Sequence, residues 1–198
     1  VIDLVLSARA ATGRQIGLYP ELKQVDYFAS HGIDSTRMVI QTLAANDLTG
    51  PDDGVWLQSF DATALQRANA LTDLPLVQLL GSEDPTEIAQ QISRAGLQEI
   101  AAYADGIGVP KYGYVIAQPP VGHPPVPQYT GLVERAHEVG LFVHVYTFRA
   151  ENEYLPPAFQ RVESRHGDMA GELRMLLAAG IDGFFTDFPD IGRAVCSD

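Results

Sequence analysis

Cysteine is nearly missing. Cys196 is the one thiol in 198 residues, so no internal disulfide framework and no thiolate zinc site can form within the chain. Basic residues are scarce as well: 13 Lys and Arg stand against 25 Asp and Glu, a formal charge of -12. Without a basic stripe to release counterions, neither a nucleic acid nor an anionic membrane surface is expected as a partner. No apolar run is long enough to span a bilayer, and none reads as a signal peptide. No Gly-x-Gly-x-x-Gly or Walker loop follows any apolar segment, which argues against a nucleotide-binding doubly wound sheet. What is present is ordinary globular material, 46% apolar, enough to bury the core of a single domain spanning residues 1–198.

The chain opens inside an apolar pattern, Val1-Ile2-Asp3-Leu4-Val5-Leu6, with no Met, cap or polar lead-in; it reads as a piece of something longer. Residues 1–11 predict a helix stopped by Gly13, and Ile16–Tyr19 a short strand. A loop over Val25–Ile33 is expected before a helix over Ser35–Asn46, with Asp34 or Ser35 as N-cap and Met38, Val39, Thr42 and Leu43 on the buried face. Strands follow at Val55–Ser59, Pro75–Leu80, Gly106–Val109, Leu141–Thr147 and Gly183–Thr186, separated by helical stretches that include Leu97–Ala104 and Tyr129–Glu138. Gly81–Gly96 reads as a loop or weak helix, Phe148–Ala170 as a long loop, and the proline-rich Gln118–Gln128 as a stiff extended excursion. Six strands alternating with helices are the pattern of parallel βα units. An α/β fold of the TIM (β/α)8-type barrel fits them best, with about six of eight units present and a first pair expected before Val1.

In such a barrel the residues just after each strand share one mouth. Gly17–Lys23 is the stretch that matters most. Pro20 lacks a backbone donor and suits a strand end. Beyond it Glu21 and Lys23 alternate onto one face of an extended chain. A carboxylate beside an ammonium there is either an exposed ion pair of small energetic worth or the start of a site for a metal ion and a phosphate oxygen. The other strand ends offer Gln58, Ser59, Phe60, Gln78, Tyr146, Thr147, Arg149 and Asp187. Gln58 and Gln78 read equally as pocket donors and as partners of strand-end backbone. Asp187 reads as the cap of the last helix rather than a catalytic acid. His144, one layer deeper than Tyr146, reads as an interior histidine rather than a general base. His31, His123, His137 and His166 read as solvated.

Taken in order, YPELK at Tyr19–Lys23, WLQSFD at Trp56–Asp61, LVQLL at Leu76–Leu80, ADGIG at Ala104–Gly108, VHVYTFR at Val143–Arg149 and GIDGFFTDFPD at Gly180–Asp190 resemble the successive barrel segments of the glycerophosphodiester phosphodiesterase family, its bacterial long form especially. The resemblance implies a TIM barrel and a divalent cation, calcium or magnesium. It also implies hydrolysis of soluble glycerophosphodiesters to sn-glycerol 3-phosphate and an alcohol, and an exported enzyme, periplasmic or extracellular. By the same resemblance Glu21 matches a metal-ligand carboxylate, Lys23 the lysine beside the phosphate, and Gln58, Phe60 and Tyr146 the walls of the substrate pocket. The family's His-Arg, Glu-x-Asp and His-Asp motifs do not occur in these residues, so its catalytic histidine pair is expected before Val1, and the chain reads as the C-terminal three-quarters of the barrel. Two rival readings are a non-catalytic relative that binds glycerophospho-compounds or a partner protein, and a lipid-acting, phospholipase D-like barrel.

Overall fold

The computed structural model describes residues 1–117, 128–161 and 163–197. The elements in chain order are α1 (Ile2–Thr12), α2 (Val25–Ser30), α3 (Ser35–Ala44), β1 (Leu57–Ser59), α4 (Ala62–Asn69), β2 (Leu76–Leu79), α5 (Pro85–Gln91), α6 (Arg94–Ala101), β3 (Gly106–Pro110), α7 (Leu132–Glu138), β4 (Phe142–Phe148), α8 (Met169–Ala178), β5 (Gly183–Thr186) and α9 (Pro189–Val195). The chain forms two compact units. The first holds Val1–Leu79 and Glu99–Ile107, the second Leu80–Gln98 and Gly108–Asp198, so the division passes through β3.

In the first unit β1 and β2 pair in parallel, with Leu57 opposite Leu76 and Ser59 opposite Gln78. Both strands are fully buried, which is why they read as near-continuous apolar runs. Asp105 at the start of β3 donates its N–H to the Leu76 carbonyl at 2.9 Å. A cluster of Leu18, Leu43, Leu48, Val55 and Leu74, with Ile2, Val5 and Val39 against it, packs helices on this layer. Helix starts follow side-chain chemistry: the Asp34 carboxylate accepts the Arg37 N–H at 3.1 Å and the Asp61 carboxylate the Ala64 N–H at 3.1 Å.

Three expectations change in this unit. Ile16–Tyr19 is not a continuous strand. It forms isolated parallel bridges, Leu18 with Val55 and Glu21 with Gln58. Leu18 exchanges bonds with Gly54 and Trp56, and Gln58 donates to the Pro20 carbonyl while accepting the Leu22 N–H, all at 2.9–3.0 Å. The ladder is broken between the two bridges because Pro20 has no N–H to give. The described residues therefore carry five strands, not six. Second, Val25–Ser30 is a short helix rather than loop, too brief to show a periodic stripe. Third, α3 buries Thr36, Ile40 and Leu43. Of the expected face Leu43 is buried and Val39 packs against the same cluster, whereas Met38 and Thr42 are exposed at an apolar cavity of about 540 Å³ that Ile2, Leu18 and Pro20 also line.

In the second unit β4 and β5 pair in parallel, His144 opposite Gly183 and Phe148 opposite Thr186, with a register shift between Val145 and Phe148. That bulge takes Tyr146 and Thr147 out of step with β5. On the other side of β4, Lys111 donates its N–H to the Tyr146 carbonyl at 3.3 Å. Asp182, just before β5, accepts the Val143 N–H at 2.7 Å and so pins the start of β4. Gly183 is required by contact, since a Cβ there would stand 2.6 Å from the His144 ring. Gly81–Gly96 contains α5 and the start of α6, which begins three residues earlier than the expected Leu97. The long loop after β4 is partly ordered as 3-10 turns at Asn152–Tyr154 and Pro157–Phe159. Residues 118–127 of the proline-rich stretch, with His123, lie outside the described residues.

Candidate functional site

The tip of the first unit's layer is built from two extended segments in parallel. The bridge between Glu21 and Gln58 sets them side by side on one face of the sheet. Alternation puts Tyr19 one step below Glu21 on that face and Lys23 one step above. Below them the Tyr19 and Trp56 rings stack at 5.9 Å with an 18° interplanar angle, and burial pushes the Tyr19 phenol well above its ordinary pKa. Gly17 permits that stacking layer, because a Cβ there would meet the Gly54 carbonyl and the Trp56 ring at 2.9 Å each. Glu21 Oε2 lies 3.0 Å from Lys23 Nζ; the carboxylate side chain is 22% exposed and the lysine 72%. Gln58 is 8% exposed beside them.

The next residues of β1 are held from behind. Ser59 Oγ donates to the Leu22 carbonyl at 2.8 Å and accepts the Asp61 N–H at 3.1 Å. Gln78 Nε2 lies within 3.3, 3.1 and 2.9 Å of the Ser59, Phe60 and Leu79 carbonyls, while its Oε1 accepts the Tyr103 hydroxyl at 2.8 Å. Of the two readings open for Gln78, its amide therefore does the backbone work. Phe60, one residue past β1, keeps a half-exposed ring.

Tyr146 belongs to the second unit. Its hydroxyl donates to the Leu80 carbonyl at 2.6 Å. Arg149, just past β4, is held by Glu151 at 2.8 and 3.2 Å and lies 4.1 Å from the Tyr154 ring centroid. Asp187 does not cap α9. The N-cap of α9 is Phe188, with no side-chain cap, and Asp187 Oδ2 faces Arg149 Nε at 3.5 Å. The cap was expected from the Asp-Phe-Pro order, but Thr186 Oγ1 takes the Phe188 N–H at 2.9 Å instead. His144 packs 4.6 Å from the Phe142 ring, and burial pulls its pKa down. His137 pairs with Asp182 at 2.8 Å and His166 meets the Phe188 ring edge-on at 5.3 Å.

Among the described residues no group of three or more His, Cys, Asp or Glu is placed to hold a metal ion. Calcium takes six to eight oxygen ligands, and magnesium an octahedral set. Glu21 fits as one such ligand, an accessible carboxylate at a strand end; the set is incomplete within these residues. One cluster went unread in the sequence: Lys111, Tyr112 and Glu172 converge in the second unit. Glu172 is 61 residues from Lys111, and no local pattern links positions so far apart.

The fold and strand-tip chemistry define an α/β protein of parallel βα units with a TIM-barrel-like arrangement. The model of the glycerophosphoryl diester phosphodiesterase family matches residues 6–191, and the chain belongs to that family. It is 28% identical over 211 residues to a glycerophosphodiester phosphodiesterase of Haemophilus influenzae, covering 96% of this chain and 55% of that protein. It is 30% identical over 204 residues to glycerophosphodiester phosphodiesterase GDPD6 of Arabidopsis thaliana, covering 94% and 52%. The chain thus spans about half the length of the curated relatives it matches. Two solved structures of inferred glycerophosphoryl diester phosphodiesterases share the fold. The one from Silicibacter pomeroyi has a TM-score of 0.58 at 17% identity, over 98% of this chain and 54% of that one. The one from Agrobacterium tumefaciens has a TM-score of 0.57 at 18% identity, over 97% and 62%.

Proposed function

We propose that the protein carrying this chain hydrolyses glycerophosphodiesters, the deacylated head groups of phospholipids, to sn-glycerol 3-phosphate and an alcohol. Membership of the family supports the reaction class. The observation that carries the assignment to these residues is the Glu21–Gln58 bridge with Lys23 at 3.0 Å from the Glu21 carboxylate. It brings an acid, an amide and a cation to one strand tip.

In this reading residues 1–198 are one domain, the C-terminal three-quarters of a barrel with about six of its eight βα units. Glu21 is one ligand of a divalent cation, calcium or magnesium, whose other ligands come from outside these residues. When bound, the cation supplies charge to phosphoryl oxygens. Lys23, largely exposed, swings from Glu21 to offset the phosphate charge. Gln58 offers its amide to the glycerol hydroxyls and Phe60 walls the glycerol moiety in the first unit; Tyr146 is a substrate-binding residue of the second unit. His144 is buried among aromatic rings and His137 is engaged by Asp182, so neither is given a proton-transfer role in this reading. An exported, periplasmic or extracellular location accompanies this reading.

The test is release of choline or ethanolamine from glycerophosphodiesters by the whole protein, with and without chelator. Chelator-sensitive turnover is expected, and Glu21→Gln is expected to lower kcat/KM by about tenfold or more while weakening metal binding measured by calorimetry. Full activity and unchanged metal affinity in that variant would remove Glu21 from the site. Absence of turnover with binding of glycerophosphocholine retained would leave the non-catalytic relative as the better reading.

A further inference from the structure

In the second unit an ion pair is withdrawn from water. Lys111 Nζ lies 2.9 Å from Glu172 Oε2, with the lysine side chain 7% exposed and the glutamate 0%. The other carboxylate oxygen accepts the Tyr112 hydroxyl at 2.5 Å. The ammonium also reaches the Tyr154 carbonyl at 3.5 Å and stands 5.1 Å from the Phe148 ring centroid and 5.5 Å from that of Tyr112. Two consecutive residues at the carboxyl end of β3 are therefore moored to one carboxylate in the first turn of α8. Buried pairs of this kind are seldom worth more to stability than apolar residues of the same volume, whereas removing one partner is costly. Their contribution lies in fixing a geometry.

The geometry fixed here includes Tyr146. Lys111 donates its backbone N–H to the Tyr146 carbonyl at 3.3 Å. The register between β4 and β5 shifts between Val145 and Phe148, the stretch that holds Tyr146. Its hydroxyl is held at Leu80. We infer that Lys111, moored by Glu172 and Tyr112, is a positioning residue that sets the main chain of Tyr146. The inference rests on the reading of Tyr146 as a wall of the substrate pocket. Lys111 is too deeply buried to contact substrate itself.

The test uses the whole protein and two readouts: hydrogen exchange by mass spectrometry on the shortest peptide spanning Lys111, and the KM and kcat for glycerophosphocholine. The double variant Lys111→Met/Glu172→Leu replaces the pair with apolar volume and is expected to melt close to the native temperature. Its peptide should exchange at least tenfold faster, with KM raised threefold or more and kcat within twofold. Native exchange and native KM at a native melting temperature would overturn the inference, showing a pair that only fills space. Should the double variant not fold, Tyr112→Phe decides alone: about threefold faster exchange supports the mooring, and unchanged exchange overturns it. If the unmodified protein turns over no glycerophosphodiester, the proposed function falls, while the exchange readout still decides the positioning.

Discussion

Replacing Gln78 with leucine keeps the side chain's size and removes every polar contact it makes. Gln78 is 4% exposed; its contacts to the Ser59 and Leu79 carbonyls are buried and those to the Phe60 carbonyl and Tyr103 hydroxyl part-buried. The Tyr103 hydroxyl loses its acceptor at 2.8 Å, and the Ser59, Phe60 and Leu79 carbonyls lose a donor they share at 2.9–3.3 Å. Two N–H groups and one accepting oxygen amount to three hydrogen bonds, each worth about 1 kcal/mol net, with a further penalty where a buried partner stays unpaired. The expected loss is about 3 kcal/mol, partly offset by the apolar side chain. In a domain of this size each 1 kcal/mol moves the melting temperature by about 2–4 °C, so a fall of roughly 5–10 °C is expected in a circular-dichroism melt. Tyr103→Phe removes one of the three bonds and should lose about 1 kcal/mol. In the double variant the two losses should fall short of additive, because they share a bond. A Gln78→Leu protein that loses less than 1 kcal/mol in urea unfolding, with an unchanged slope, would refute the reasoning. Freed from Gln78, the Phe60 main chain should also loosen, and a KM that rises while kcat holds is the expected companion.

Burial holds His144 neutral in the fold, against a smaller opposing pull from Asp182. The unfolded chain then takes the proton first as pH falls through about 6.5, so stability declines below that pH until the lowered native pKa is reached. His144→Gln should flatten the melting temperature between pH 7.5 and 5.5, and an unaltered slope would count against the argument. A Cβ at Gly183 would meet the His144 ring at 2.6–2.8 Å. Gly183→Ala should therefore cost about 1–3 kcal/mol; adding His144→Ala should bring a smaller further loss than His144→Ala causes alone, a coupling that a double-mutant cycle measures. Asp34 is held below the ordinary carboxylate range by the Arg37 N–H first, with Arg37 and Arg67 assisting. Its contribution is present at neutral pH and lost as pH falls through the depressed value. Asp34→Asn keeps the cap and removes the charge, and should make acid unfolding less steep.

The sequence by itself determined where chain direction and burial alternate. Pro75–Leu80 announces itself because both its faces are buried, and Leu141–Thr147 because buried Val143 and Val145 alternate with half-buried Phe142, His144 and Tyr146. Asp34 and Asp61 mark helix starts because a carboxylate there satisfies orphan N–H groups. The pairing of Glu21 with Lys23 followed from a period of two. The inward face of α3 was only partly legible: Leu43 and Val39 pack as expected, but Met38 and Ile40 are equally apolar and only the neighbouring layer chooses between them. The first expected strand dissolved into bridges because one proline withholds one donor, an effect that depends on which side its partner lies. Asp187 turned from the helix it precedes to Arg149, and Glu172 came to Lys111 from 61 residues away. Those meetings are decided by tertiary structure alone, because hydrogen bonds and charge pairs act over a few ångströms of space and carry no trace of distance along the chain.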